Sequence, residues 1–483
     1  MHDLRNKTIR AGFANLSGRS VVVLLRVVSI VTLGRLLSPR DYGVVAMVTS
    51  FTGVLSLLSG FGLLQAAIQR DRMTEERAST LFWVNVMLGG ILGCVALALA
   101  PIASAFYREP ELVLATSVTA ITFLFTGAGI QHSALLARQM RFGALALIDG
   151  IACFTATSLA ISMALAGWGY WALVSLIITV PLITTLGVWL ATAWIPKPPR
   201  LHDGTWSLLH FGGTVTLQGL VTYVAWNFDK LLLGRFWGAH AIGLYGRAQT
   251  LIMFPVDTLN ASVGEVAFAA LSRARGDQQR LRRYFLKGYA LVVALTVPLA
   301  IVCALFSDDL IEVALGTKWT DAAEIFRLLA PTILVFSIAN PLGWLLNALG
   351  LVRRSLKIAL ASAPLVIVGA TIGLPYGPRG VAIAYSAVML LKVIPITAWA
   401  VHGTPIRLSD IFGVLRAPLA SSLVAAGCAY AVHFLIGATL APLPRLSVDI
   451  VLFSAVYASL LSLSTQQRSL YLDLLRWSKL VPV

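Results

Sequence analysis

Leu33-Gly34-Arg35, followed by Gly43, recurs two hundred positions later as Leu233-Gly234-Arg235, followed by Gly243. Each copy closes a long apolar stretch. A triplet can recur by chance in a chain rich in Leu and Gly, so its surroundings decide what it means. A shift of 210 carries Leu135-Leu136 onto Leu345-Leu346, each just ahead of a basic turn. The same shift carries Gly167 onto Gly377 and Ala172 onto Ala382, and the long segment Ser307–Glu324 accounts for the change of shift. Two copies of one helical bundle are therefore expected, as in transporters built from internal repeats.

The copies lie in a membrane. The chain has 483 residues, of which 58% are hydrophobic and 12% charged, with a mean hydropathy of +0.83. A soluble domain carries about a quarter charged residues. Fourteen stretches approach or exceed the roughly 20 apolar residues that cross a bilayer, at about 11–34, 42–67, 80–106, 111–136, 143–165, 169–194, 206–233, 241–268, 285–306, 325–350, 356–374, 380–400, 411–436 and 447–465. The expected fold is an all-α integral membrane protein of about 14 transmembrane helices. Residues 1–194 form an N-terminal six-helix lobe, 195–205 a cytoplasmic linker and 206–402 a second six-helix lobe. Residues 403–483 hold two further helices and an interfacial tail. A six-span unit returns to its starting side, so the repeats are parallel.

The net charge of +16 is topological. With the amino terminus in the cytoplasm, most Lys and Arg fall on cytoplasmic segments, at Arg5–Arg10, Arg70–Arg77, Arg138–Arg141, Lys197–Arg200, Arg273–Lys287, Arg353–Lys357 and Arg468–Lys479. This is the positive-inside pattern. It places both termini in the cytoplasm and argues against nucleic acid as a partner. The basic segment Arg273–Lys287 is read first as a positive-inside loop and second, with Leu281, Tyr284 and Phe285 interleaved, as a contact with anionic membrane lipids, the expected lipid partners. The four cysteines are scattered through apolar spans, the seven histidines show no metal-ligand spacing, and there is no phosphate-cradling loop. No metal, cofactor or ATPase activity is expected.

Ionisable residues inside spans are functional candidates. Asn15, Arg19, Arg26 and Ser29 share one face of the first span. Arg26 lies about halfway along that span and is read either as a lumen cation or as the partner of a structural carboxylate. Asp149, in the fifth span, either pairs with Arg26 or binds a coupling cation. In the seventh span Asp229 and Lys230 lie near the outer end, where a locally satisfied helix terminus competes with a functional role. The eighth carries Arg247, Thr250, Asp257 and Glu265 on one arc around Pro255. Arg19, Arg26, Lys230, Arg247, Arg327 and Lys392 outnumber Asp149, Asp229, Asp257 and Glu265. Such a cavity favours an anion, and Arg suits phosphate.

At this point the sequence resembles a known group. Leu33 to Gly43, with Gly34, Arg35, Pro39, Asp41, Tyr42 and Gly43, is similar to the signature after the first span of the polysaccharide flippases. Asn227-Phe228-Asp229-Lys230-Leu231-Leu232-Leu233-Gly234-Arg235 resembles their signature ending the seventh span. Asp71–Trp83, Leu135–Phe142 and Gly167–Ala172 are similar to the WzxC-like, polysaccharide-transport branch of the MOP exporter superfamily. The resemblance implies a two-lobe flippase, not an enzyme, in the bacterial cytoplasmic (inner) membrane. It would move an undecaprenyl-diphosphate-linked oligosaccharide to the outer leaflet by alternating access, for lipopolysaccharide, capsule or exopolysaccharide synthesis. Arg19, Arg26, Lys230 and Arg247 are its expected substrate-binding cations. Asp149, Asp229 and Asp257 are its coupling or structural carboxylates. A polysaccharide polymerase and export machinery are the implied protein partners. Arg35 and Arg235 are read either as cargo contacts or as residues that fix a turn. The competing readings are a cation-coupled drug exporter, which would favour acids over the basic surplus, and a membrane glycan polymerase or ligase, which would carry a larger outer loop than Ser307–Glu324.

Overall fold

The computed structural model describes residues 21–60, 75–199, 205–436 and 440–463. Every regular element among them is helical, as a lipid solvent requires: a helix satisfies its own backbone polar groups. Arg19, Asn15 and the tail after Thr465 lie outside the described residues, as do the side chains of Thr214, Gln218, Thr222 and Glu265.

The chain divides into two compact units, Met1–Gly243 and Leu244–Val483. The first holds α1 (21–36), α2 (Pro39–Gly60), α3 (Glu75–Tyr107), the short α4 (Glu111–Thr119), α5 (Ile121–Arg138), α6 (Phe142–Leu165) and α7 (Trp171–Thr192). The division falls within α8 (Thr205–Arg273). The second unit continues with α9 (Gln278–Leu305), α10 (Ser307–Leu315), α11 (Thr320–Leu329), α12 (Thr332–Ala348), α13 (Val352–Gly373), α14 (Gly377–Val401), α15 (Leu408–Ile436) and α16 (Pro442–Leu463).

Ten helical stretches among the described residues are long and apolar enough to cross a membrane, or eleven if the bent pair Thr317–Leu329 and Thr332–Ala348 is one span. The protein is thus a multi-pass membrane protein. Two of these stretches contain breaks. Val352–Val401 comprises α13, a 3-10 turn at Leu374–Tyr376 and α14. The 69 residues of α8 would run to about 100 Å as one straight helix, against a hydrocarbon core of about 30 Å. It is broken at Gly238, with φ 78° and ψ −176°. This break falls between the seventh and eighth spans read from the sequence, 206–233 and 241–268, and Pro255 sits inside the helix beyond it.

Within the first unit α6 packs on α7, α3 on α5, and α5 on α7; within the second, α13 packs on α14, α9 on α12, and α12 on α14. The backbone also recurs at the shift read from the sequence. Arg141 N–H donates to Leu136 O, and Leu351 N–H to Leu346 O, around left-handed residues Met140 and Gly350. Gly167 and Gly377 both have positive φ, at 80° and 71°. In each unit an arginine from the turn caps a neighbouring helix: Arg141 on Ala191 O and Arg354 on His402 O. Small residues allow close packing without a hydrophobic drive between helices. Ala96, Ala100 and Ala103 on α3, and Ala152, Ala156 and Ala160 on α6, are buried. Leu190, Leu391 and Phe434 are almost bare, as lipid-facing side chains are. Ser307–Glu324, read from sequence as a loop, is mostly helical. The expected tenth span, 325–350, is bent by 51° between α11 and α12, where Pro331 interrupts it.

The segment after α7 is docked. Lys197 N–H donates to Ser79 Oγ at 3.0 Å and Trp83 Nε1 donates to Lys197 O at 2.9 Å. Lys197 Nζ lies 2.7 Å from Glu75 Oε2. The hydrogen bond and charge of Lys197 hold the Glu75 carboxyl below its usual range.

The break at Gly238 occupies a region that only glycine enters readily, at a cost of about 1–3 kcal/mol for other residues. Gly238→Ala should lower the melting temperature of the purified protein in nanodiscs. An unchanged melting temperature would show that this conformation is not required.

Candidate functional site

The first signature builds a helix start. Ser38 precedes α2 and Pro39 opens it. Ser38 N–H donates to Asp41 Oδ2 at 2.9 Å, and Asp41 N–H donates to Ser38 Oγ at 3.3 Å. The Ser38 hydroxyl donates to Asp41 Oδ2 at 2.6 Å. This reciprocal arrangement is a capping box, with proline where its missing N–H costs nothing. Arg40 reaches Glu109 at 3.3 Å and Glu111 at 3.4 Å. Tyr42 packs against the apolar cluster of Leu33, Leu37, Ala160, Ala172 and Leu173. The Pro, Asp and Tyr of the signature thus fix the direction of α2.

That direction brings the two signatures together. A methyl group on Gly43 would overlap the carbonyl of Ala239, and one on Gly243 would overlap the carbonyl of Pro39. Backbone touches backbone, all within the first unit. One turn before Gly238, Gly234 faces the ring of Tyr107, leaving no room for a side chain. Tyr107, Phe106 and Phe51 meet edge to face with centroids 5.0–5.8 Å apart. The Arg235 guanidinium lies over Phe106, 5.6 Å from its centroid, within cation–π range. Tyr223 OH donates to Thr49 O at 3.0 Å, a further tie between α8 and α2. Gly34 is buried and Arg35 exposed, and both have polar or ring partners.

Among the intramembrane charges, Arg26 is exposed along α1 and lies within electrostatic reach of Asp149 on α6, which is also exposed. Asn227, Asp229 and Lys230 form a local knot. Lys230 Nζ donates to Asn227 Oδ1 at 3.2 Å, Asn227 Nδ2 to Tyr223 O at 3.0 Å, and Lys230 N–H to Asp229 Oδ1 at 2.8 Å. Asp229 is 1% exposed. In the second unit Arg247 is 8% exposed, whereas Thr250 and Asp257 on the same helix are exposed. The arc read from the sequence therefore has one buried member and two open ones. Lys392 is buried beside a groove of about 330 Å³ walled by α13 and α14. Arg327 lies on α11, bonded to Ser307 Oγ and paired with Asp308.

The sequence reading missed the aromatic group Phe51, Phe106 and Tyr107, whose members come from two helices with no shared motif. It also missed Asp309, His433 and Asp449, the one group of metal-compatible donors among the described residues. Their wide spacing leaves no local signal.

Residues 32–324, which carry both signatures, match the family described as polysaccharide biosynthesis protein. The chain belongs to that family. It is 28% identical over 355 residues to the teichuronic acid biosynthesis protein TuaB of Bacillus subtilis, covering 72% of each chain. It is 25% identical over 405 residues to the lipopolysaccharide biosynthesis protein WzxC of Escherichia coli, covering 81% of this chain and 80% of that one. The resemblance to the WzxC-like proteins is thereby borne out. The fold matches the inward closed conformation of the lipid II flippase MurJ, with a TM-score of 0.76 and 14% identity, over 97% of this chain and 100% of that one.

The contact between the signatures has a direct consequence. Gly43→Ala and Gly243→Ala should each destabilise the purified protein by about 1–3 kcal/mol, the range for overpacking. Gly246→Ala, with open space around it, should be neutral or slightly stabilising. Equal melting temperatures for all three variants would contradict the close approach.

Proposed function

We propose that the protein is a flippase that carries an undecaprenyl-diphosphate-linked oligosaccharide across the bacterial cytoplasmic membrane for surface polysaccharide synthesis. The observation that carries this reading is the joining of the two signatures in a member of the polysaccharide biosynthesis family. Basic groups inside apolar helices support it. Arg26 is open for a phosphate to approach, and Lys230 and Arg247 add positive charge. Arg19 is assigned to the same cationic set from its place on the first span. A diphosphate binds arginine through paired, charge-assisted hydrogen bonds, while a prenyl chain stays in lipid.

In this reading the breaks in α8 and between α13 and α14 return the chain across the membrane. With the bent pair counted as one span they bring the eleven candidates to thirteen, and the first span read from the sequence, 11–34, makes fourteen crossings with both termini in the cytoplasm. Residues 1–194 and 206–402 are the two rocking lobes, 195–205 the linker, and 403–483 an addition outside the repeat. The Gly43–Gly243 approach then joins α2 of one lobe to α8 of the other at the outer end, and it opens when cargo leaves. Asp229, held in its knot with Asn227 and Lys230, is structural. Asp149 tunes Arg26 and is the leading coupling carboxylate, with Asp257 as a second. A polysaccharide polymerase would receive the flipped product.

Arg26→Ala should reduce surface polysaccharide by about tenfold or more, the loss of roughly 1.5–3 kcal/mol of charge-assisted binding, with normal protein in the membrane. A deletion strain should accumulate lipid-linked repeat units on the cytoplasmic face. Full export by a normally expressed Arg26→Ala protein would remove that residue from the site. Accumulation on the outer face would indicate polymerisation instead, and drug sensitivity with intact polysaccharide would indicate a drug exporter.

A further inference from the structure

The second unit contains a polar cluster that the flippase reading does not use. It joins α10, α15 and α16. Asp309 on α10 and Asp449 on α16 are 3% and 1% exposed. His433 lies near the end of α15, its ring 5.5 Å from Phe306 and 6.2 Å from Tyr430. One donor atom from each of Asp309, His433 and Asp449 lies within 4.8 Å of the others.

The hydrogen bonding is uneven. Arg445 grips Asp309 with two donors, Nε to Oδ2 at 2.8 Å and Nη2 to Oδ1. His433 Nδ1 is 2.7 Å from Asp449 Oδ2. Asp449 Oδ1 is buried and has no hydrogen-bond partner. A buried carboxylate oxygen without a partner is costly, which points to a positively charged occupant beside it. The surrounding charge agrees. Asp309, Asp449 and nearby Glu312 bear negative charge around Arg445, while Asp308 is matched by Arg327. With a neutral imidazole the two carboxylates of the cluster exceed Arg445 by one negative charge, and by two once Glu312 is counted.

We propose that Asp309, His433 and Asp449 bind one divalent transition-metal cation, of the zinc or manganese class, which ties α10 to the last two helices. One imidazole nitrogen with two carboxylates selects such ions over magnesium or calcium, which prefer all-oxygen shells. Metal bonds of about 2.0–2.2 Å put adjacent ligands about 3–3.5 Å apart, so the 2.7 Å hydrogen bond between His433 and Asp449 opens by a few tenths of an ångström or more when both ligate one ion. Arg445 acts from outside the site, orienting Asp309 as partners of metal ligands commonly do. The ion would complete an attachment already begun by Phe306, Ala425, Ala429, Leu446 and Phe453, which form one apolar cluster across the same elements.

The full-length protein, purified into nanodiscs and stripped with EDTA, should take up one equivalent of zinc or manganese by elemental analysis. Its melting temperature should rise by roughly 5 °C on saturation. His433→Gln, at a partly exposed position, and Asp449→Asn should each lose the uptake and the shift. His402→Gln, outside the cluster, should keep both. Substoichiometric metal in the wild type would overturn the proposal, because that measurement needs no variant to fold. Uptake that persists in His433→Gln, or a shift produced by acidification and not by metal, would overturn it as well.

Discussion

The approach of two peptide backbones, Gly43 to Ala239 and Gly243 to Pro39, constrains everything around it. Inside a membrane, helices gain little from leaving lipid, and dispersion at short range is what holds them together. A contact without intervening side chains maximises that attraction, but only if both helices arrive in register. The capping box of Ser38 and Asp41 sets where α2 begins, and the break at Gly238 sets where α8 turns. Tyr107 fills the space that Gly234 leaves, and Phe106 holds the Arg235 cation against its ring face. The residues of the two signatures are therefore parts of one joint. Arg235 lies over the Phe106 ring, three residues before the break at Gly238.

The charges divide by whether their neighbours already satisfy them. Asn227, Asp229 and Lys230 bond among themselves and to the helix backbone. Arg26 and Asp149 differ. They sit on different helices, interact electrostatically, and keep exposed surface. A guanidinium with a distant carboxylate retains donors for another anion, while the carboxylate lowers the cost of keeping the cation in an apolar stretch. Both readings of Arg26 from sequence, lumen cation and carboxylate partner, are compatible with one side chain.

Much of the fold is legible in the sequence because its signals are local or periodic. Apolar length marks the spans, and the repeat shift anticipates the matching left-handed turns at 140 and 350 and at 167 and 377. The signatures mark the joint, although nothing in them says that Gly43 and Gly243 face each other. What escaped depends on distant pairs. Tyr107 meets Gly234, Trp83 meets Lys197, and Asp309 meets Arg445 across long sequence separations. The segment after Leu305 reads as a loop because its charges, Asp308, Asp309 and Glu312, are dense. Its helices are held by partners such as Arg327 and Arg445 that no short window contains.

A joint made of glycine and alanine backbones also suits the motion the proposed function requires. Interlocked large side chains must leave their pockets before two helices can separate, and each departure forfeits many contacts at once. The surfaces at Gly43 and Gly243 have no such knobs. At these two positions the backbones can part without rotamer changes, whereas the Tyr107 ring seated against Gly234 has to leave its place. The surrounding polar ties are of a kind that can be exchanged for water. Tyr223 bonds a Thr49 carbonyl, and Arg40 pairs with Glu109 and Glu111 at an exposed position, where ion pairs contribute little. Tight packing gives the joint its register, and the shape of the packed surfaces lets that register be released. A duplicated signature with glycine on both sides meets both requirements, whereas glycine on one side alone would leave a side chain to lock into the other.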